Sequence, residues 1–166
     1  MLPVSFLDDA HVVRVGLQWI DDIDTRVDEV IVLLSHKIHD KCVNVSKESV
    51  PPVIEVVGDE NKLKQLLLNL INNSIEAVLN EGLIEIRLAE DRPNRQVHVR
   101  ISDNGYGIPK EIGSEIFTPF FSTKLDKKNT GLGLSICQNI VETHRGTIRF
   151  ESDPGNRTTF VVTLPL

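Results

Sequence analysis

The chain predicts an α/β fold, a two-layer sandwich in which a mixed, mostly antiparallel sheet is covered on one face by helices. Two patterns carry that expectation. Short segments of alternating apolar and polar residues read as strands, several close enough together to form hairpins, and longer segments with apolar residues three and four apart read as helices between them. With 166 residues, of which 40% are hydrophobic, the chain suits one domain with a substantial core.

Taken in order, residues 7–34 read as amphipathic helix, with Val12, Val13, Leu17, Ile20, Val27, Val30 and Ile31 among the apolar positions. An interruption around residues 21–25 suggests two helices there. Residues 42–45 and 53–57 read as short strands separated by a Pro51-Pro52 turn. Residues 62–78 form the most apolar helix, with Asp59 near its N-cap. Residues 83–88, 96–102, 147–151 and 159–164 alternate as strands, and 134–144 reads as a last amphipathic helix. No internal repeat or low-complexity tract is present.

Eighteen basic against 24 acidic residues leave a net charge of −6, and no basic patch carries interleaved aromatics, so neither nucleic acid nor a membrane surface is an expected partner. Apolar runs are shorter than a membrane span, and the N-terminus carries acidic residues where a signal peptide would be basic. Cys42 and Cys137 lack metal-ligand spacing and read as small core hydrophobes in a reducing compartment.

Residues 129–136, Asn-Thr-Gly-Leu-Gly-Leu-Ser-Ile, place two glycines where a helix is about to start. Amide groups at Gly131 and Gly133 can converge on an anion that also meets the positive end of the helix. A loop that merely needs glycines to turn is the alternative. Asp103 stands where a strand ends and Asn104-Gly105-Tyr106-Gly107 begins. A buried carboxylate there suits an exocyclic amine, and Gly105 and Gly107 let a flat ring approach the main chain; an Asn-Gly hairpin turn would look the same. In the apolar helix, Gln65, Asn69, Asn72, Asn73 and Glu76 recur at steps of three and four as one polar stripe. Three asparagines inside a core helix break a local rule, which marks function over a plain solvated face. An amide oxygen is a hard neutral ligand suited to Mg²⁺ that takes other ligands from phosphate.

These segments, with Phe117-Thr-Pro-Phe-Phe-Ser-Thr-Lys124 between the second and the last, resemble in order and spacing the N, G1, F and G2 boxes of sensor histidine kinases. Those kinases belong to the GHKL ATPase superfamily with gyrase, MutL and the heat-shock chaperone ATPase. The resemblance covers about residues 21–166, and the Pro-Phe-Phe-Ser-Thr-Lys wording, with the short stretch after Lys124, looks most like the nitrogen-regulation and oxygen-sensor subclass. It implies the GHKL (Bergerat) fold, with nucleotide between the helix layer and a lid at about residues 108–130. At least one of Phe117, Phe120 and Phe121 should dock when that lid closes.

The resemblance implies ATP and Mg²⁺ as the bound groups. Asn73 would ligate the metal, Asn69 would line the phosphate side, and Asp103 would bind the adenine amine. Gly105, Gly107, Ile108 and Phe120 would belong to the adenine and lid side, and Thr130, Gly131, Leu132, Gly133 and Leu134 to the phosphate side. Lys124 could approach the terminal phosphate, although an exposed lysine is the commoner explanation. Hydrolytic members carry a water-activating glutamate where this chain has Asn69, so hydrolysis should be slow and the γ-phosphoryl kept for another acceptor. Glu76 stands where many sensor kinases place a basic residue.

The function implied is that of the catalytic, ATP-binding module of a bacterial two-component histidine kinase. It would transfer the γ-phosphoryl to a histidine on a separate dimerisation domain, with a response regulator downstream. Residues 1–20 would be a linker or the remnant of a dimerisation helix, and 21–166 the catalytic domain, cytosolic in itself or as part of a membrane-bound sensor. No acceptor histidine is recognised: His36 lies too close before Asn69 to leave room for a second long helix and the first strands. His36 and His39 are expected on the first helix of the catalytic domain; His11 lacks the neighbours an acceptor needs, and His98 and His144 read as structural. The alternatives are a serine kinase of the anti-sigma type and a non-catalytic nucleotide-binding module, with a plain hydrolase below both.

Overall fold

The computed structural model describes residues 13–15, 18–51, 53–123 and 130–166, and for residues 13–15 and 18–20 the backbone alone. The elements run β1 (Val13–Val15), β2 (Gln18–Asp22), α1 (Ile23–Leu33), α2 (Ser35–Asp40), β3 (Asn44–Val50), β4 (Glu55–Val57), α3 (Glu60–Ala77), β5 (Leu83–Asp91), β6 (Gln96–Asp103), α4 (Gly133–Thr143), β7 (Thr147–Asp153) and β8 (Arg157–Pro165), with a 3-10 turn at Lys110–Ile112. Five strands form the main sheet in the order β3-β5-β6-β8-β7; β3 and β5 are parallel and the other pairs antiparallel. A second sheet joins β1, β2 and β4. The α/β fold with a mixed, mostly antiparallel sheet packed against helices is as the sequence predicts.

Alternation decides which face each strand buries. Ile84, Ile86 and Leu88 of β5, Val97, Val99 and Ile101 of β6, and Phe160, Val162 and Leu164 of β8 face the helices. The other face carries Glu85, Arg87, Arg100 and Thr159. α3 packs against both α1 and α4 and is the central helix of its layer, burying Leu63, Leu66, Leu67, Leu70, Ile71 and Ile75. Asp59 caps it by accepting from the Lys62 N–H at 3.1 Å, and at its other end Lys41 Nζ donates to the carbonyls of Ile75 and Val78 at 2.9 and 3.0 Å.

Three expectations need correction. Residues 7–34 are not the two helices expected: Val13–Val15 and Gln18–Asp22 are strands, and the first helix among the described residues begins at Ile23. β2 pairs with β4, Ile20 against Val57, and that tertiary ladder overrides a local apolar spacing that fits a helix. Asp22 then caps α1, accepting from the Asp24 N–H and the Thr25 hydroxyl. The break between helices comes at Leu34, so His36 and His39 sit on α2 rather than on the first helix. Cys42 is exposed, because it occupies the turn after α2 at φ +52, whereas Cys137 is buried as expected. His11, Pro52 and the stretch 124–129 lie outside the described residues.

A buried ion cluster fastens α1. Arg26 is almost wholly removed from water; its Nε donates to Asp21 at 3.1 Å and its Nη1 to Glu29 and Glu60 at 2.7 and 2.6 Å. Burial raises the Asp21 carboxyl despite the guanidinium beside it. Burial also pushes Glu29 up, but the hydrogen bond from Lys64 and the Arg26 charge outweigh it and hold Glu29 below the usual carboxylate range.

Candidate functional site

A cavity of about 380 Å³ opens between α3, the ends of β6 and β8, the loop after β6 and the start of α4, within the range of small-ligand pockets. Nine of the residues singled out in the sequence line it: Asn69, Asn73, Asp103, Gly107, Ile108, Thr130, Gly131, Gly133 and Leu134. Asn72, Glu76, Tyr106, Ile112, Ile116 and Phe121 complete much of the wall.

Asp103 reaches the cavity because it continues the buried register Val97, Val99, Ile101 one step past the apolar stretch of β6. Its Oδ1 accepts from the Gly105 N–H at 3.0 Å and its Oδ2 from the Ser74 hydroxyl at 3.0 Å. Burial raises its carboxyl pKa, opposed by those two donors. Two accepted hydrogen bonds leave acceptor capacity on a carboxylate. Gly105 itself does not line the cavity. It lies behind it, where a Cβ would meet Ala77 O at 2.5 Å, and its part is to hold Asp103.

The loop is fastened on three sides. Tyr106 N–H donates to Ala77 O, Gly155 N–H to Tyr106 O at 2.7 Å, and Ile108 N–H to Ser152 Oγ at 2.7 Å. Gly107 adopts φ +71 against the β7–β8 hairpin, where a Cβ would stand 2.6 Å from Asp153 O.

On α3, Asn69 Nδ2 donates to Gly133 O at 3.3 Å, which settles the facing of its amide and ties the helix to the start of α4. Asn73 lines the cavity and makes no side-chain hydrogen bond to any described residue. Asn72 accepts from Lys37 at 2.6 Å and donates to Glu76 at 2.8 Å, so the acid in the stripe is held by its neighbour. Gly131 has φ +67, and a Cβ on it would lie 2.5 Å from the Phe120 carbonyl carbon. A Cβ on Gly133 would meet nothing within 4 Å among the described residues, which leave the space in front of the first turn of α4 open.

Phe120 and Leu132 do not line the cavity. Phe120 is 76% exposed, at φ +66, and its neighbour Phe121 takes the place at the wall. Leu132 is the N-cap of α4, where its carbonyl accepts from Ser135 Oγ and the Ile136 N–H. Phe117 packs on Phe150, ring centroids 6.2 Å apart. Lys124 lies outside the described residues. Sequence reasoning missed Ser74 and Thr158. Ser74 is a polar residue on the buried side of α3, and Thr158 is paired with Asp103 across β6 and β8; only the strand register marks the second.

The donor set fits a nucleotide with a divalent cation. A buried carboxylate suits an exocyclic amine, two neutral amides suit Mg²⁺, and open backbone at a helix N-terminus suits phosphate. Among the described residues no cluster of histidine, cysteine and carboxylate ligands offers another metal site, and no helix is long and apolar enough to cross a membrane.

Comparison with known proteins agrees with this geometry. Residues 58–166 match the family described as histidine kinase-, DNA gyrase B-, and HSP90-like ATPase. The chain is 38% identical over 145 residues to sensor histidine kinase ZraS of Klebsiella oxytoca, covering 87% of this chain and 31% of that protein. It is 41% identical over 112 residues to sporulation kinase A of Bacillus subtilis, covering 68% of this chain and 18% of that protein. The chain thus spans less than a third of the length of these curated relatives. Among solved structures, the catalytic domain of histidine kinase ThkA superposes with a TM-score of 0.80 at 34% identity, covering 89% of this chain and 95% of that one. ThkA in complex with response regulator protein TrrA superposes with a TM-score of 0.74 at 32% identity, covering 89% of this chain and 42% of that one.

Proposed function

This chain belongs to the histidine kinase-, DNA gyrase B-, and HSP90-like ATPase family, as the ATP-binding catalytic domain of a sensor histidine kinase, and from that premise we propose how its residues work. Adenine enters beside Asp103, whose buried carboxylate accepts from the exocyclic amine, and Gly107 and Ile108 form the floor of that pocket. The phosphates meet the backbone of Gly131 and Gly133 and the N-terminal end of α4. Asn73, with Asn69 beside it, would hold Mg²⁺, which supplies charge neutralisation at the phosphates. The chain's own part is to hold ATP with the γ-phosphoryl exposed to an acceptor and to offer water no base, since Asn69 is no carboxylate.

The acceptor is a histidine on a dimerisation domain, in the same parent protein or on another chain. The phosphoryl then passes to a response regulator, as the ThkA complex with TrrA suggests for this chain too. Lys124 is a candidate for the terminal phosphate. The Pro119-Phe120-Phe121-Ser122-Thr123 wording and Glu76 favour the nitrogen-regulation and oxygen-sensor subclass. Residues 21–166 act as the catalytic unit in the cytosol, with 1–20 leading into it; pairing of Ile20, Asp21 and Asp22 with β4 supports a unit that begins close to residue 21.

One observation carries the reading: a carboxylate nine-tenths and more buried, with no cation against it among the described residues, at the wall of a cavity whose other end is glycine backbone. Calorimetric titration of ATP with and without Mg²⁺ tests it, followed by mixing with a histidine-bearing hairpin and ³²P-labelled ATP. Mg²⁺-enhanced binding and acid-labile phosphate on the hairpin are expected. Absence of ATP binding by the folded chain would sink the proposal, and acid-stable phosphate would redirect it to a serine kinase.

A further inference from the structure

Polar ties join α3 to α4 at both ends and midway along their length. At the cavity end Asn69 donates to Gly133 O; midway the Cys137 thiol donates to Leu66 O at 3.8 Å; at the far end the Asp59 N–H donates to His144 Nε2 at 3.0 Å. His144 terminates α4, and its Nδ1 lies 2.7 Å from Ile140 O. A carbonyl only accepts, so Nδ1 carries the proton and Nε2 is left as the acceptor that the Asp59 N–H requires. One nitrogen thus adds a second hydrogen bond at the Ile140 carbonyl, which also accepts the His144 backbone N–H, and the other reaches the N-cap of α3. Gly58 leaves the room for the ring and for Leu63: a Cβ there would stand 2.8 Å from both His144 Cδ2 and Leu63 Cδ1 and 2.9 Å from Nε2.

We infer that His144 is a positioning residue for the nucleotide site, a neutral Nδ1-protonated imidazole that sets how α4 lies along α3. The inference rests on the ATP-site reading above. α4 is a rod of 11 residues, and a helix of that length spans about 16 Å. Held at both ends, it keeps the glycine turn at Gly131 and Gly133 at one distance from the asparagine stripe. With the far tie released, the Cys137 contact becomes a pivot, and tilting about it displaces Gly133 together with the Asn69 amide bonded to it. The effect on the phosphate end is indirect, which distinguishes His144 from the residues that touch ATP.

The test is the ATP dissociation constant, measured with Mg²⁺ at a temperature where every protein is folded, for the unmutated chain, His144→Leu, His144→Gln and Gly58→Ala. Glutamine keeps an acceptor facing Asp59 and leucine keeps only bulk. We expect His144→Leu and Gly58→Ala to weaken binding roughly five-fold, as for loss of one hydrogen bond, and His144→Gln to stay within about two-fold. Nitrogen-15 shifts of the imidazole should report the Nδ1–H tautomer. Lowered melting temperature with unchanged ATP affinity in His144→Leu would overturn the inference, as would glutamine behaving like leucine or an Nε2–H tautomer. If His144→Leu does not fold, Gly58→Ala and the tautomer decide. Failure of the unmutated chain to bind ATP would instead overturn the site reading, while the tautomer still decides the tie.

Discussion

Ser74 donates its hydroxyl to Asp103 across the α3–β6 interface at 3.0 Å, and both residues are almost fully removed from water. A helix side chain and a strand side chain thereby share the work of keeping a carboxylate where no cation among the described residues balances it. On the proposed reading the ligand's amine offsets part of that desolvation only when it arrives, so binding and stability should separate at this position.

Asp103→Asn should therefore bind ATP at least about ten-fold more weakly while melting no lower at neutral pH, because the amide places a donor where the amine comes and removes a buried charge. Calorimetric titration and a thermal melt on the same preparation check it; equal affinity would remove Asp103 from the site.

The sign of the pH effect follows from burial raising the Asp103 carboxyl against the Gly105 and Ser74 hydrogen bonds. A carboxyl raised above its unfolded value, about 3.9, contributes stability that is complete below that value and is lost as pH rises through the folded one. Nucleotide affinity runs the other way, since the amine needs the carboxylate. Affinity of the unmutated chain should fall on acidification at a pH above the ordinary carboxylate range, and the difference from Asp103→Asn should vanish there. A constant difference down to the ordinary range would contradict this.

Two glycines of the same turn should respond differently to alanine. Gly131→Ala forces a left-handed backbone onto alanine with a Cβ against Phe120, and should cost about 1–2 kcal/mol of stability or more. Gly133→Ala meets no atom of another described residue within 4 Å and should fold normally, yet, on the proposed reading, fill space meant for phosphate. Denaturant melts and ATP titration of both variants separate strain from site.

Arg26→Ala should lower stability by about 3–5 kcal/mol, since it strands Asp21 in the interior without its guanidinium. Guanidinium melts measure it, and a loss below about 1 kcal/mol would mean that Asp21 is neutralised without help.

The two thiols should label at very different rates. Burial pushes the Cys137 thiol up to about 12, and it lies inside the core, whereas Cys42 is exposed. Mass spectrometry after brief iodoacetamide treatment of the folded chain should find adduct on Cys42 alone.

Legibility differed with the range of the forces involved. Strands β5 to β8, helix α3 with its Asp59 cap, and helix α4 were readable because alternation, helical spacing and capping act within a few residues. Strand β2 was not, because its partner is β4, more than thirty residues away, and the local apolar spacing of 7–34 suits a helix equally well. The exposure of Cys42 was hidden for the same reason, since the turn that turns it outward depends on where α2 stops.

At the site, residue types and order alone were enough to mark Asn69, Asn73, Asp103, Gly107, Gly131 and Gly133, because amide, carboxylate and bare backbone each carry their chemistry in the side chain or its lack. Tertiary structure decided which of the marked residues line the cavity. It set Gly105 behind Asp103, turned Phe120 outward and Phe121 inward, and supplied Ser74 and Thr158, all through packing between α3 and the ends of β6 and β8. It also made His144 a tie between two helices whose sequence positions lie 85 residues apart, a contact that no local pattern contains because its partner is a backbone N–H, and every residue but proline has one.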